Sequence, residues 1–490
     1  MGGMTVNDTT SKLKWGIFWN VFGSVGSKVL VMLASILTAR ILGADRNGEF
    51  GMINNTVGMF STFAALGLGT TATRFVVEFK ENKKERCGNV IAMAFFIALA
   101  SSLIFAGGLI LGSDWLAENT LNNSKLSIGL KLSTIMLLFN TLNTIQNSIL
   151  AGFEDFKIVA RVAIIQGIIS VPVFVVFTLL FGVNGLVIGY GIVGIITFLI
   201  ANLYIKRACK KNHIFITYKT CLSEYRLLFK FALPAMLMNV VVIPVTWLGN
   251  TIVIQDFNGY YHLGVFNAAN QWRSAISLLP AAIGNVILPF IITRDDDTVE
   301  DVNILLSWFI VLVLSSGVTF LSGLITLFYG RSYDYTSLNR SIIVICAICG
   351  FLAFKEGIAR NLIKHSYMWF GFFSNLLWGI CFIICILIFK QWGAIGISCA
   401  YLLAYFITTV IFVPFYIKEK IVDKKYFLNK TILAIWAVFI VYLVVSLIFD
   451  NIWVKGILFL AMMFMVYWGC EIFFGISGKV LAVLTRKKNS

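Results

Sequence analysis

About fourteen runs of roughly 20 apolar residues follow one another along this chain, and they decide what it can fold into. They lie near 15–39, 50–73, 88–111, 127–150, 158–181, 184–204, 227–254, 263–292, 303–328, 340–362, 367–389, 393–416, 431–449 and 452–474. About 20 such residues in a helix cross the hydrocarbon core of a bilayer. The composition agrees: 59% of the 490 residues are hydrophobic and 13% charged, against about a quarter charged in soluble domains. Soluble enzymes, disordered regulators, coiled coils and secreted disulfide scaffolds are excluded. The first 14 residues lack a short apolar core followed by small residues, so the first span is expected to act as its own insertion signal.

The net charge of +16 raises nucleic acid as a partner, but the positions of the cations answer it. Twenty-seven Lys and Arg fall in the segments on one side of the predicted topology, against eight on the other. That asymmetry predicts a multi-pass protein with both termini in the cytoplasm, its excess charge facing anionic lipids rather than nucleic acid. The nine cysteines lie in apolar stretches and read as small buried side chains, with no metal motif. The longest polar stretch, 205–226, carries Lys206, Arg207, Lys210, Lys211 and Lys219 and reads as a cytoplasmic connector. The predicted organisation is a lobe of six helices over 1–204, the connector, a second six-helix lobe over 227–416, and two additional helices with a tail over 417–490.

The two halves echo one another. Gly51-Met-Ile-Asn54 opens the second span and Gly264-Val-Phe-Asn267 the eighth. Gly185 follows Phe181 at the sixth span, and Gly393 follows Phe389 at the twelfth, both four residues on. Like residues in spans six apart indicate a parallel repeat.

The run Ala39-Arg40-Ile41-Leu42-Gly43, then Gly48-Glu49-Phe50-Gly51 and Leu66-Gly67-Leu68-Gly69, resembles the opening signature of polysaccharide-transport proteins. These are the O-antigen and capsule repeat-unit flippases, in the superfamily shared with the multidrug and toxic-compound exporters. Gly264-Val-Phe-Asn267-Ala268-Ala269-Asn270-Gln271-Trp272 resembles the same family's eighth helix. Ala44 stands where many relatives carry proline, and Phe50 where tyrosine is common. The resemblance implies an all-α membrane protein of the bacterial cytoplasmic membrane. It implies two six-helix lobes arranged as a V around a central cavity that opens alternately to each side.

Amides and charges within a bilayer are costly and are expected to face a cavity or one another. Span one gathers Asn20, Ser24, Ser27, Lys28, Ser35 and Thr38 on one face; span two has Asn54, Gly58, Ser61 and Thr62; span four has Ser133, Asn140, Thr144 and Asn147. Span seven offers Asn239, Thr246 and Asn250, and span eight Asn267, Asn270, Gln271, Ser274 and Ser277 with Arg273 at the margin. Small polar residues also serve as glue between helices. Lys28 and Arg273, however, have no carboxylate at matching depth in their own spans. Glu356 and Arg360 are four apart with the acid first, the favourable intrahelical pairing, which leaves Lys355 as a third cavity cation.

The candidate substrate-binding residues are therefore Lys28, Arg273, Lys355, Asn54, Asn267, Asn270 and Gln271. Cations among amides and hydroxyls suit an anionic head rich in hydroxyls, such as a polyprenyl pyrophosphate-linked oligosaccharide. Pro172, Pro234, Pro244, Pro280 and Pro289 are expected to allow bends. No cofactor or catalytic group is indicated, and the coupling ion, H+ or Na+, stays open. The expected partners are the lipid-linked substrate, membrane lipids, and a polymerase or other glycan-assembly proteins. A cation exporter of the same fold and a membrane glycan polymerase or ligase are the alternatives.

Overall fold

The computed structural model describes residues 6–65, 67–218, 241–293, 296–364 and 367–485, and among them every regular element is helical. The helices are α1 (Val6–Ala65), α2 (Leu68–Phe79), α3 (Lys84–Trp115), α4 (Leu126–Gly152), α5 (Phe156–Lys211) and α6 (Val242–Ile254). There follow α7 (Gly259–Thr293), α8 (Asp297–Asp301), α9 (Ser307–Tyr329), α10 (Tyr335–Lys364), α11 (Met368–Phe389) and α12 (Gly393–Lys418). The chain ends in α13 (Lys425–Leu428), α14 (Lys430–Ile448), α15 (Ile452–Tyr467) and α16 (Ile476–Thr485).

Nine continuous helical stretches among the described residues are long and apolar enough to cross a membrane. The 56 residues of Phe156–Lys211 would measure about 84 Å as one straight helix, far more than a hydrocarbon core of about 30 Å. The backbone resolves this at glycines. Helix α1 breaks at Gly43 (φ 78°), and α5 at Gly182 (φ 60°, ψ −133°). Trp369–Lys418 breaks at a short 3₁₀ turn ending in Gly393 (φ 61°, ψ −135°). Each of the three stretches thus holds two spans. With α6 and α7 they account for the fourteen read from the sequence; the first part of span seven lies outside the described residues. Pro172 leaves the helical φ/ψ of α5 intact, and the departure comes at Gly182 instead. Span two ends earlier than its hydropathy suggests, because Gly67 adopts a left-handed conformation and α2 starts afresh at Leu68.

The internal repeat is visible in these corners, three residues away from the register expected. Gly182 and Gly393 share a backbone conformation that side-chain-bearing residues avoid. Three residues on, a Cβ on Gly185 would lie 1.9 Å from the Phe177 carbonyl oxygen, and one on Gly396 1.9 Å from that of Phe389. The equivalent pairs are Gly182 with Gly393 and Gly185 with Gly396. The 3₁₀ turn Lys390–Trp392 in the second corner shifts the preceding phenylalanine and disguises the correspondence in the sequence.

By packing, the chain divides into two compact units, Met1–Tyr260 and Tyr261–Ser490. Helix α6, read as the opening of the second lobe, belongs to the first unit, where Trp247 Nε1 donates to Thr56 Oγ1 of α1 at 2.9 Å. The core of the first unit joins α2, α3, α4 and α5 through Phe75, Phe79, Met93, Ile145, Ile149 and Ile205. Two α4 amides tie it to α5: Asn143 Nδ2 donates to Gly194 O (3.0 Å) and Gln146 Nε2 to Phe198 O (3.1 Å). The connector begins as part of this unit. Ile214 is buried in the same core and Ile216 packs against it.

The second unit is pinned at both ends by ion pairs. The buried Asp301 receives Lys479 of α16 at 2.5 Å and the Tyr426 hydroxyl at 2.5 Å, while Val480 and Val483 of α16 pack on Ile287 and Ile291 of α7. At the other end Lys455, only 3% exposed, donates to Asp450 at 2.6 Å, and Asn339 Nδ2 donates to the same carboxylate at 3.3 Å.

Candidate substrate-facing residues

Helix α7 carries Arg273, and α10 carries Lys355 seven residues short of its last buried leucine, Leu362. Both cations converge on α12. The Lys355 Nζ lies 5.4 Å from the centre of the Tyr405 ring. The Arg273 guanidinium lies in the field of Tyr405 and stands 6.0 Å from the centre of the Tyr401 ring. Tyr401 and Tyr405 are four apart and so share one face of α12. Trp378 of α11 stacks on Tyr405 at 5.2 Å and borders Tyr401 at 6.0 Å. The quadrupole of an aromatic face attracts a cation without neutralising it. Neither Arg273 nor Lys355 forms an ion pair with a carboxylate among the described residues. Their charge is therefore available to an anion.

Arg360 departs from expectation. Its Nε donates to Asn303 Oδ1 (2.6 Å), and one terminal nitrogen to Asn303 O (2.8 Å) and Ser307 Oγ (3.3 Å). Asn303 sits on the π-helical turn Val302–Leu306. Its amide is fixed by donating to Gly357 O (3.0 Å) and Asn361 Oδ1 (2.8 Å). Two acceptors from one residue match the planar guanidinium fork, which a carboxylate on the same helix cannot do at this distance. Glu356 is left with a through-space attraction to Arg360 and no ion pair among the described residues.

The amides of α7 are placed differently from one another. The buried Tyr329 hydroxyl, which accepts from Trp272 Nε1 (3.1 Å), shares its one proton between Ala268 O (3.0 Å) and Gln271 Oε1 (3.1 Å). Gln271 is thereby engaged inside the unit. Asn270 is half-buried and makes no hydrogen bond among the described residues. The Asn267 Nδ2 is buried without an acceptor.

In the first unit Lys28 is exposed, with no hydrogen bond or ion pair among the described residues. The exposed apolar stripe of α1 runs through Val29, Leu33 and Leu37; Lys28 lies round the helix from it, on the side of Ser35 seven residues later. Much of the stripe read around Lys28 is packing. Ser27 is buried with its backbone against Gly167 of α5, and Ser35 Oγ and Thr38 Oγ1 bond to carbonyls of their own helix. Asn20 and Ser24 have no described side chains, and Asn239 lies outside the described residues. Asn54 is exposed, as are Asn140, Thr144 and Asn147 of α4, whereas Ser133 is buried.

Sequence reading missed Tyr401, Tyr405 and Trp378. An aromatic pair in an apolar helix reads as core; the available signal was its i, i+4 spacing in a span otherwise free of charge.

Nine membrane-length helical stretches among the described residues, three of them broken into two spans each, with cations that have no carboxylate partner among those residues, define a multi-pass membrane protein. Residues 13–294, more than half of the chain, match the family described as polysaccharide biosynthesis protein, and the chain belongs to that family. The resemblance read in residues 39–69 and 264–272 is borne out. A Shigella flexneri protein provisionally named an O-antigen transporter is 25% identical over 337 residues, 66% of this chain and 78% of that one. The EPS I polysaccharide export inner membrane protein EpsE of Ralstonia solanacearum is 24% identical over 346 residues, 67% and 76% of the two chains. Among solved structures, the lipid II flippase MurJ in an inward closed conformation aligns with a TM-score of 0.66 at 20% identity, covering 93% of this chain and 98% of that one. An inward-facing multidrug resistance MATE transporter of the MOP superfamily aligns with a TM-score of 0.61 at 14% identity, over 80% and 94%. The fold is that shared by these two solved transporter structures.

Proposed function

We propose that this protein is a flippase for polyprenyl-pyrophosphate-linked oligosaccharide repeat units in the bacterial cytoplasmic membrane, working by alternating access with both termini in the cytoplasm. The observation that carries this reading is the meeting of Arg273 and Lys355 at Tyr405 without a carboxylate partner. An unpaired cation within a span costs about 2.5–3.5 kcal/mol even on the mildest scale, so two on one face call for an anionic visitor. Arg273 binds phosphate oxygens through two nitrogens and Lys355 as a point charge. The half-buried Tyr405, backed by the buried Tyr401 and Trp378, offers a flat apolar face to a sugar ring, and Asn270 offers a free amide to sugar hydroxyls. In the first unit Lys28 and Asn54 are the corresponding candidates. The lipid-linked glycan handling named for the relatives supports the same substrate class, and the action is transport rather than catalysis. A carrier of organic cations would need carboxylates where Arg273 and Lys355 stand.

Replacement of the chromosomal gene by Arg273→Ala or Lys355→Ala tests the reading. Membrane levels of the variants should match wild type while surface glycan is lost. Normal glycan in both variants would contradict the anion-binding role.

A further inference from the structure

Toward its end, helix α5 carries an apolar stripe that turns basic. Leu199 and Leu203 are exposed on one side of the helix. Lys206 and Lys210 continue that side at helical spacing, and both are exposed. The opposite side, with Ala201, Ile205, Ala208 and Cys209, is buried. An exposed apolar stripe on a membrane-spanning helix faces lipid, so the two lysines stand where that lipid face gives way to water. Their side chains make no hydrogen bond or ion pair among the described residues, and residues 199–218 contain no Asp or Glu.

The chain then turns back onto the first unit. The Ile214 amide donates to Cys209 O (2.9 Å) and the His213 amide to Lys210 O (3.2 Å), with His213 left-handed at φ 55°. This is a Schellman closure, in which the residue after the left-handed position makes an apolar contact. Ile214 makes it, buried in the core of α2–α5. The carbonyl of Phe215 lies on the first turns of α3, where a Cβ on Gly88 would stand 2.0 Å from its oxygen. With Ile214 and Ile216 both packed on the core, Phe215 between them points outward. It is 81% exposed, and Tyr218 is 59% exposed.

Membrane topology and the helix dipole both favour lysines at this helix end. Neither explains a phenylalanine held by its own backbone in an outward position, since water is a poor medium for such a ring. The interfacial layer of a bilayer suits aromatic rings and snorkelling lysines together.

We propose that Lys206 and Lys210, flanked by Phe215 and Tyr218, form a binding site for an anionic phospholipid. Only the orientation of the termini is taken from the flippase reading, and it places the lipid in the cytoplasmic leaflet. The two ammonium groups meet the headgroup phosphate as point charges, Leu199 and Leu203 run beside an acyl chain, and the aromatic rings lie in the interfacial layer. The apolar stripe leading into the lysines selects a lipid over a free phosphate, to which it offers nothing.

The test titrates the purified full-length protein in neutral detergent with phosphatidylglycerol and, separately, phosphatidylcholine, and follows the melting temperature against lipid mole fraction. A ligand that binds the folded state raises the melting temperature by mass action, so phosphatidylglycerol should act at the lower mole fraction. Lys206→Gln and Lys210→Gln should each require about fivefold more phosphatidylglycerol for the same rise. Phe215→Ser should also require more, whereas the Lys206→Arg, Lys210→Arg double variant should respond as wild type does. Matching melting profiles without added lipid establish that the variants are folded. Glycerol 3-phosphate should produce no rise; a rise equal to that with the lipid would assign the site to free phosphate and overturn the proposal. An equal phosphatidylglycerol response in wild type and both glutamine variants would overturn it too, as would an equal response of wild type to the two lipids. None of these results bears on Arg273 or Lys355, so the flippase reading stands or falls separately.

Discussion

The Lys355 ammonium lies 5.4 Å from the centre of the Tyr405 ring, and the Arg273 guanidinium lies in the field of the same tyrosine. One side chain of α12 therefore faces cations from two other helices. Cation–π contacts contribute about 0.5–2 kcal/mol, equivalent to roughly 2–30-fold in affinity. Tyr405→Leu should weaken farnesyl diphosphate binding within that range, and Tyr405→Phe, which keeps the ring, should weaken it less. Titration of the purified variants measures both.

The Arg360–Asn303 contact is a stability element. Arg360 is 9% exposed, and Asn303 supplies two of its three acceptors. Asn303→Ala leaves a buried guanidinium under-satisfied and frees the Asn361 carbonyl as well. The expected loss is about 2–4 kcal/mol, read as a lower melting temperature in detergent. Glu356→Gln should have a much smaller effect in the same assay.

The two glycine corners should be intolerant in the same way. Gly393→Ala places a side chain at a φ that costs about 1–3 kcal/mol. Gly396→Ala drives a Cβ into the Phe389 carbonyl oxygen, a backbone atom without freedom to move aside. Gly182→Ala and Gly185→Ala should behave alike in the first unit. Folded yield after extraction, followed by size-exclusion profile, compares the four. Alanine at Gly371, where a Cβ meets nothing within 4 Å, is the control.

Asp450, in the link between α14 and α15, supplies a pH dependence. Burial alone pushes its carboxyl up, but the opposing hydrogen bonds from Lys455, Tyr335 and Asn339 together hold it below the usual aspartate range. A lowered folded-state value means stability that is present above the unfolded value and lost as pH falls through the folded one. Asp450→Asn should therefore lower the melting temperature at neutral pH, and the gap from wild type should close in acid. Because Asp450 is half-exposed while Lys455 is buried, the neutral-pH effect is about 1–2 kcal/mol after discounting for screening.

The spans were legible because apolar length is nearly sufficient to specify a membrane helix. Chain breaks were legible only where glycine clustered. The register of the repeat was not, since the 3₁₀ turn before Gly393 alters the local spacing without leaving a compositional mark. Pairing Glu356 with Arg360 followed a rule confined to one helix; Asn303, more than fifty residues away, offered better geometry. Gln271 looked like its neighbour Asn270 in the sequence, yet Tyr329 claims it. Arg273 and Lys355 were found because charge in a span is conspicuous. Tyr405 was passed over because an aromatic there is ordinary until its neighbours are known.

Transbilayer movement in proteoliposomes tests the central claim most directly. Vesicles carrying the purified protein and a polyprenyl diphosphate-linked oligosaccharide are probed for sugar exposed at the outer leaflet. Wild type should move the lipid across, and the Arg273→Ala, Lys355→Ala double variant, folded and inserted to the same extent, should not exceed protein-free vesicles. Movement by the double variant at the wild-type rate would contradict the account.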